Sequence, residues 1–581
     1  MGLPSANTQF IENLVDPVTS VFIVAAYLII VVTIIIIAYS LRRNKLLLTL
    51  LLLSAIALFT FEPGFPSSAH DFSFFLGPIF EVAHGKTIFT TTSSMYGFIS
   101  ILVLGFLTQL HLFNPFYLPF LTWLLYILQY FLCFYIIYRS SRSIVLTLLG
   151  LFSILTVGYF SLFHLPNTFP QIGPMRWLPL IISLFLIQKY KSFTDLKLIL
   201  LFSILSLWNI EAGIALFLSY AFTLFVLTMV GAISKRKVVS SIVLLAVFNL
   251  SIFIILDIIH MLLGRQTIDF IGIFSRLREF AVAGVAMIPM PWRTHFWLVL
   301  LIYFASIIYY FRRQTVDDRK LRIDKEDRSL KIENQSSTFQ LQNPSSTFHH
   351  LSSTLLFSAN LSLFASVYYI GRSHPHNLFN ISLFPILNVF LLFGFLFKKI
   401  KNSSFYFLAS IFLFIVFILF PGFNRKQAVA SMIKAKFDRL EIRTIFKPEL
   451  EEQVKRFYFF ETLLIKESLP EDEVLILSVD DTYLYYLVDK KNLLLDNPQS
   501  GIASVSRLDL DLALKKAYKT CPRKIAADCS LFGVCSKYQT FNHEAVNIQK
   551  VLLESLEKSC KLEYKPIRCT NKLCIAVADK D

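Results

Sequence analysis

Stretches of about 20 apolar residues, the length that carries an α-helix across a bilayer, recur along this chain from Val18 to Phe420 and then stop. Only 16% of the 581 residues are charged and 59 are phenylalanine, whereas a soluble domain carries closer to about 25% charge. Water is therefore not the solvent for most of the chain. The break in composition divides it into a multi-spanning membrane domain, 1–421, and a soluble domain, 422–581. A formal charge of +16 would point to nucleic acid in a soluble protein. Here the lysines and arginines stand in short clusters between apolar runs, a pattern that reports topology and leaves no case for a nucleic-acid partner.

The clusters Arg42/Arg43/Lys45, Arg139/Arg142, Lys189/Lys191, Lys235/Arg236/Lys237, Arg312/Arg313 and Lys398/Lys399/Lys401 are all cytoplasmic in one consistent threading. It predicts about 12 transmembrane helices, near 18–40, 46–61, 116–138, 143–160, 177–188, 196–210, 212–232, 238–263, 295–311, 351–370, 379–397 and 404–420. The outer loops are then 62–115, 161–176, 264–294 and 371–378, and 312–350 is a flexible, polar cytoplasmic loop. An even count places both termini outside. The run Tyr96–Phe113 is read as an interfacial or re-entrant helix, because a full span there would invert everything after it. Before Arg42 there is no basic residue, so the first apolar run is expected to be a retained helix, not a cleaved signal peptide.

Six of the seven cysteines, Cys521, Cys529, Cys535, Cys560, Cys569 and Cys574, lie in the soluble domain, and Cys133 lies in a span. An even, clustered set without a CxxC pair suggests disulfides in an oxidising compartment, with fifteen pairings open. Around them the periodicity predicts a small α/β domain: a buried strand at 474–478, helices at 510–519 and 546–558, a strand at 524–527, and a last strand at 575–578.

Unusual polar residues concentrate in the outer loops. In the first, His70-Asp71 precedes Gly77-Pro78, Glu81, His84-Gly85-Lys86-Thr87 and Tyr96-Gly97. A carboxylate just outside a span is well placed to act as a base on a substrate at the membrane surface. The plain alternative for Asp71 is a solvated loop acid or helix cap. Glu211, in Trp208-Asn209-Ile210-Glu211, interrupts a run that is otherwise apolar from Leu198 to Val230; it is either functional or a solvated acid at the turn between two helices. Asp257 and His260 share a helix face and read as a structural pair. The basic residues left outside are few, namely Lys86, Arg176, Arg265, Arg276, Arg278, Arg293 and Arg372. Any of them can meet an anion such as a lipid phosphate, or simply snorkel to the headgroups. Pro375 disfavours helix, so an extended segment would align Arg372, His374 and His376 into a phosphate-gripping face. His84-Gly85-Lys86-Thr87 lacks the earlier glycine of a phosphate-binding loop, Phe80 standing in its place. Asp509-Leu510-Asp511 is better explained as the acidic start of a helix than as a metal-binding triplet.

The layout resembles the GT-C superfamily, multi-spanning glycosyltransferases that use polyprenyl-phosphate-linked sugars, such as protein mannosyltransferases and lipid A aminoarabinose transferases. His70-Asp71, Gly77-Pro78, the Tyr96-Gly97 step and the soluble domain after the last span carry the similarity, over most of 46–420. It implies transfer of a sugar from a polyprenyl-phosphate carrier to an acceptor hydroxyl on a glycan, lipid or protein, inverting the anomeric centre. Asp71 would be the base, Glu211 a second carboxylate, and Arg372, Arg278, His374 and Lys86 would hold the donor phosphate. His70, Tyr96 and His376 would line the substrate site, with a divalent metal possible but not required. The extra helix 18–40 and the cysteine-rich domain depart from that pattern. A transporter or flippase of lipid-linked sugars is the competing reading, and a silent membrane anchor for the soluble domain a third. The expected location is a cell membrane, with membrane lipids as partners. The bacterial cytoplasmic membrane is preferred, although the endoplasmic reticulum satisfies the same physics.

Overall fold

The computed structural model describes residues 17–61, 69–92, 94, 96–159, 170–190, 192–272, 290–331, 345–371, 375–397, 449–494, 507–535 and 543–580. The apolar runs are helices: α1 (Pro17–Ser40), α2 (Lys45–Thr60), α3 (Ala69–Ala83), α4 (Ile99–Gln109), α5 (Leu118–Ser141), α6 (Ile144–Ile154, extended by a π turn to Tyr159), α7 (Pro174–Lys189), α8 (Leu196–Trp208), α9 (Ile210–Met229), α10 (Lys235–Leu262), α11 (Phe296–Lys331), α12 (Ser345–Gly371), α13 (Pro375–Ile381) and α14 (Leu383–Phe397). Among the described residues, six stretches, 115–141, 170–189, 210–229, 235–262, 296–313 and 352–370, are long and apolar enough to cross a membrane. The expected span 404–420 lies outside the described residues.

Helix α10 identifies the solvent. Of its 28 residues only Ser241, Leu245 and His260 are buried, while Val239, Val243, Leu250, Ile254, Ile255 and Leu262 are 50–81% exposed. At about 1.5–3 kcal/mol per large apolar side chain left in water, that face would cost on the order of 10 kcal/mol, so it is a surface suited to lipid. Between helices, where lipid supplies no hydrophobic drive, buried amides form clamps. Asn360 donates to Thr223 at 2.8 Å and Asn388 to Ser306 at 3.1 Å.

Three expectations are corrected. The segment 62–115, expected as an outer loop with one helix in the run 96–113, holds that helix as α4 and a second one, α3, packed against it. In α3, Phe75, Leu76, Ile79 and Val82 are wholly buried at helical spacing, and Gly105 of α4 lets that helix approach so closely that a Cβ there would meet Val82 at 2.5 Å. Helix α4 has 11 residues, about 16 Å, too short to cross a core of about 30 Å. Second, the polar 312–350 connection is helical as far as Lys331. Residues 314–331 contain no glycine or proline and place acids four residues before bases, as in Asp318/Arg322 and Asp324/Arg328, which favours helix. Third, Pro375 opens α13, since the first helical position needs no backbone N–H. His376 is thus helical and not part of an extended face, while Arg372 and His374 lie outside the described residues.

The tail comprises α15 (Glu449–Phe457), α16 (Phe459–Ser468), β1 (Glu473–Val474), β2 (Ile476–Leu477), α17 (Asp481–Val488), β3 (Lys491–Asn492), α18 (Arg507–Thr520), β4 (Lys524–Asp528), α19 (His543–Cys560), β5 (Leu562–Cys569) and β6 (Leu573–Lys580). Its main sheet runs β2-β4-β6-β5, with β2 parallel to β4 and the other pairs antiparallel. Alternation along the strands sends Leu475, Leu477, Ile525 and Ala527 to one face, against Leu514, Leu552 and Leu556 of α18 and α19. The opposite face, with Ile476, Ala526 and Ile575, belongs to the same apolar core as Phe75 and Ile79 of α3. The tail and the bundle end therefore share one core. The cysteines pair as Cys521–Cys560, Cys529–Cys535 and Cys569–Cys574. Strands β3 and β5 and helices α15 to α17 are not among the elements the periodicity predicts.

Candidate functional site

Two of the predicted residues meet where α8 gives way to α9. Asn209 is extended (φ −144°, ψ 131°) and caps α9, its side-chain oxygen accepting from the N–H of Glu211 at 3.0 Å and of Ala212 at 3.3 Å. Its amide nitrogen donates to the carbonyl of Tyr96. The corner is tight because residue 213 is glycine; a Cβ there would fall 1.8 Å from the backbone oxygen of Ser206. Glu211 thus sits in the first turn of α9, at the positive end of the helix dipole.

Opposite it stands Arg176, in the first turn of α7 and 1% exposed, paired with the Glu211 carboxylate. Its guanidinium lies over the rings of Tyr368 at 4.1 Å, Trp177 at 4.6 Å and Tyr96 at 5.0 Å, contacts worth about 0.5–2 kcal/mol each. The Arg176 Nε finds no hydrogen-bond partner among the described residues. The cage is itself fastened, Trp177 Nε1 donating to Asn380 at 2.9 Å and Trp208 Nε1 to the carbonyl of Met175 at 2.8 Å. The Glu211 side chain is 27% exposed, so the cation is sealed and the carboxylate is the more accessible half of the pair. Phe74 packs edge-on against Tyr96, ring centroids 5.3 Å apart. Asp71 precedes Phe74 by three residues in the first turn of the same helix, with His70 beside it.

Sequence reasoning named Arg176 only among the outer basic residues. The available signal was an arginine in an aromatic and proline-rich setting, Gly173-Pro174-Met175-Arg176-Trp177. Lys86 is elsewhere: it pairs with Glu81 of α3 and donates to the carbonyl of Leu494 in the tail at 2.6 Å. His376 is the second residue of α13, and Arg278, like Arg372 and His374, lies outside the described residues. Asp257 and His260 have separate tasks, Asp257 accepting from Ile268 N–H at 2.7 Å and His260 Nδ1 bonding the carbonyl of Leu256 at 2.8 Å.

A second polar cluster lies inside the tail, where Tyr458, Glu461, Ser478, Asp480, Asp528 and Lys572 line a small cavity. Burial pushes the Asp528 carboxyl up to about 7, against the opposing effect of hydrogen bonds from Ser478 and the Val479 N–H. Burial raises Asp480 and lowers Lys572. Among the described residues, no group of three His, Cys, Asp or Glu side chains is arranged to hold a metal ion.

Compared with known proteins, the chain matches no family model, and no curated protein is significantly similar to it.

Proposed function

We propose that the chain is a membrane glycosyltransferase of the GT-C kind, taking a sugar from a polyprenyl-phosphate carrier and passing it to an acceptor hydroxyl. The supporting observation is the buried Arg176 in its aromatic cage, paired with the partly exposed Glu211, and the Asp71 turn of α3 joined to the cage through Phe74 and Tyr96. A fixed guanidinium suits a phosphate leaving group, which needs charge stabilisation more than protonation. In this reading Asp71 takes the proton of the acceptor hydroxyl as the anomeric carbon is attacked and the phosphate departs, and Glu211 holds Arg176 in place between turnovers.

The same reading carries the finer topology: about 12 spans, both termini and the tail on the non-cytoplasmic side, in a bacterial cytoplasmic membrane. The disulfides support that side for the tail. A flippase would also keep a buried charge pair at a helix interruption like that between α8 and α9. Purified protein in lipid, offered a panel of polyprenyl-phosphate sugars, separates the two. Turnover that disappears in Asp71→Asn while donor binding persists supports the transferase. Donor translocation with no transfer or hydrolysis under any condition supports the flippase.

A further inference from the structure

We propose that the aromatic edge of the tail formed by the end of α15 and the start of α16 rests in the headgroup layer of the membrane that the bundle spans. Phe457, Phe459, Phe460 and Leu463 are 59, 56, 70 and 43% exposed, in a domain whose sheet is otherwise covered on both faces. Four large apolar side chains side by side at a surface mark a contact of some kind.

The position of the edge indicates what it touches. Glu451, in the first turn of α15, accepts from the Asn114 side chain at 2.8 Å, and Asn114 immediately precedes the candidate span 115–141. Phe116, at the start of that span, packs against Tyr486 of α17 at 4.7 Å between ring centroids. The tail is therefore seated directly on the end of a spanning helix. From Glu451 to Phe457 the helix advances about 9 Å, so the phenylalanines begin within about 10 Å of where that span emerges. At the same end of the bundle Leu110 and Leu112 are 65 and 72% exposed, an apolar rim that continues from the lipid-facing surface toward the tail. Flanking the edge, Lys455 and Arg456 are 58 and 83% exposed, each paired with an acid one turn earlier (Glu451 at 2.7 Å, Glu452 at 3.6 Å), and Lys466 is exposed. Aromatic side chains beside exposed bases are the composition of an interfacial anchor, rings at headgroup depth and cations on phosphate.

A photo-crosslinking amino acid placed at position 460 of the full chain, reconstituted in phosphatidylethanolamine and phosphatidylglycerol vesicles, tests this. The same residue at Leu128, on the exposed face of the span, and at Lys561, exposed at the opposite end of the β5–β6 hairpin from Lys572, which lies against Phe457, provides the two references. Lipid adducts at 460 comparable to those at 128 and several-fold above those at 561 are expected. Adducts at 460 to a second copy of the chain, or to its own residues 398–448, would overturn the proposal. So would a lipid yield at 460 no higher than at 561.

Discussion

Arg176 and Glu211 form an ion pair in which the cation is sealed, at 1% exposure, and the carboxylate is a quarter open. The two residues come from different helices, and each sits in a first turn held by a residue without alternatives nearby, Gly173 before α7 and Asn209 before α9. A Cβ at Gly173 would meet the Tyr126 hydroxyl at 2.4 Å.

Breaking one half of this pair should cost more than removing both. Glu211→Gln leaves a buried guanidinium uncompensated and is expected to destabilise the bundle by about 3–5 kcal/mol. Arg176→Met combined with Glu211→Gln should recover most of that loss, because no charge is then buried. Thermal unfolding of the single and double variants in detergent reads the coupling; equal losses in single and double variants would count against a desolvated pair.

Lys86→Ala should loosen the tail from the bundle. The substitution removes the cation beside Glu81, itself 4% exposed, and the bond to Leu494. Hydrogen exchange in α17 and β3 is expected to rise, with about 3 kcal/mol lost from the docked state, while exchange in α9 and α12 stays unchanged. Unaltered exchange in α17 would show that the apolar contacts alone hold the interface.

Raising the pH should weaken the tail locally. Asp528 has its carboxyl raised from an ordinary 3.8 to about 7, so the folded state binds the proton more tightly than the unfolded one. Stability from this group is fully present below about 3.8 and falls as pH rises toward 7, by at most about 1.4 kcal/mol per pH unit. Asp480 is shifted in the same direction. Asp528→Asn should flatten the dependence measured between pH 5 and 8 by hydrogen exchange at β4, since an amide can still accept from the Val479 N–H, bonded at 3.0 Å in the native chain.

Reduction should separate the disulfides by loop length. Cys521–Cys560 closes 39 residues, against 6 and 5 for the other two. Loop-closure entropy puts the long one at about 4 kcal/mol. The Cys521→Ser/Cys560→Ser variant is expected to lower the melting of the tail more than either other paired substitution. A larger fall in the Cys569→Ser/Cys574→Ser variant would contradict that order.

The helices were legible wherever a run of apolar residues was long and continuous: 196–210 was expected and Leu196–Trp208 is found, and Lys524 to Ala527 is indeed a strand. What escaped were helices whose polar residues looked like loop. His70-Asp71 and Gly77-Pro78 disguised α3, although its Phe75, Leu76, Ile79 and Val82 had helical spacing. The acid-rich continuation of α11 and the proline that opens α13 misled for the same reason, since charge and proline were read as breaks. At the site, Glu211 stood out because it interrupts an apolar run. Its partner is 35 residues away and was one basic residue among several. Contacts between Asn114 and Glu451, separated by 337 positions, leave no trace in local periodicity.

That last contact also constrains the path of the chain through the bilayer. A hydrogen bond cannot be made through a membrane, so Asn114 and Glu451 emerge on one side, and the chain between them crosses an even number of times. Among the described residues, six long apolar helices and three shorter ones, nine together, occupy that interval. Nine is odd. Either one or all three of the shorter helices stop short of a full crossing, or the chain outside the described residues adds a further one, and counting accessible positions on each face of sealed vesicles would show which.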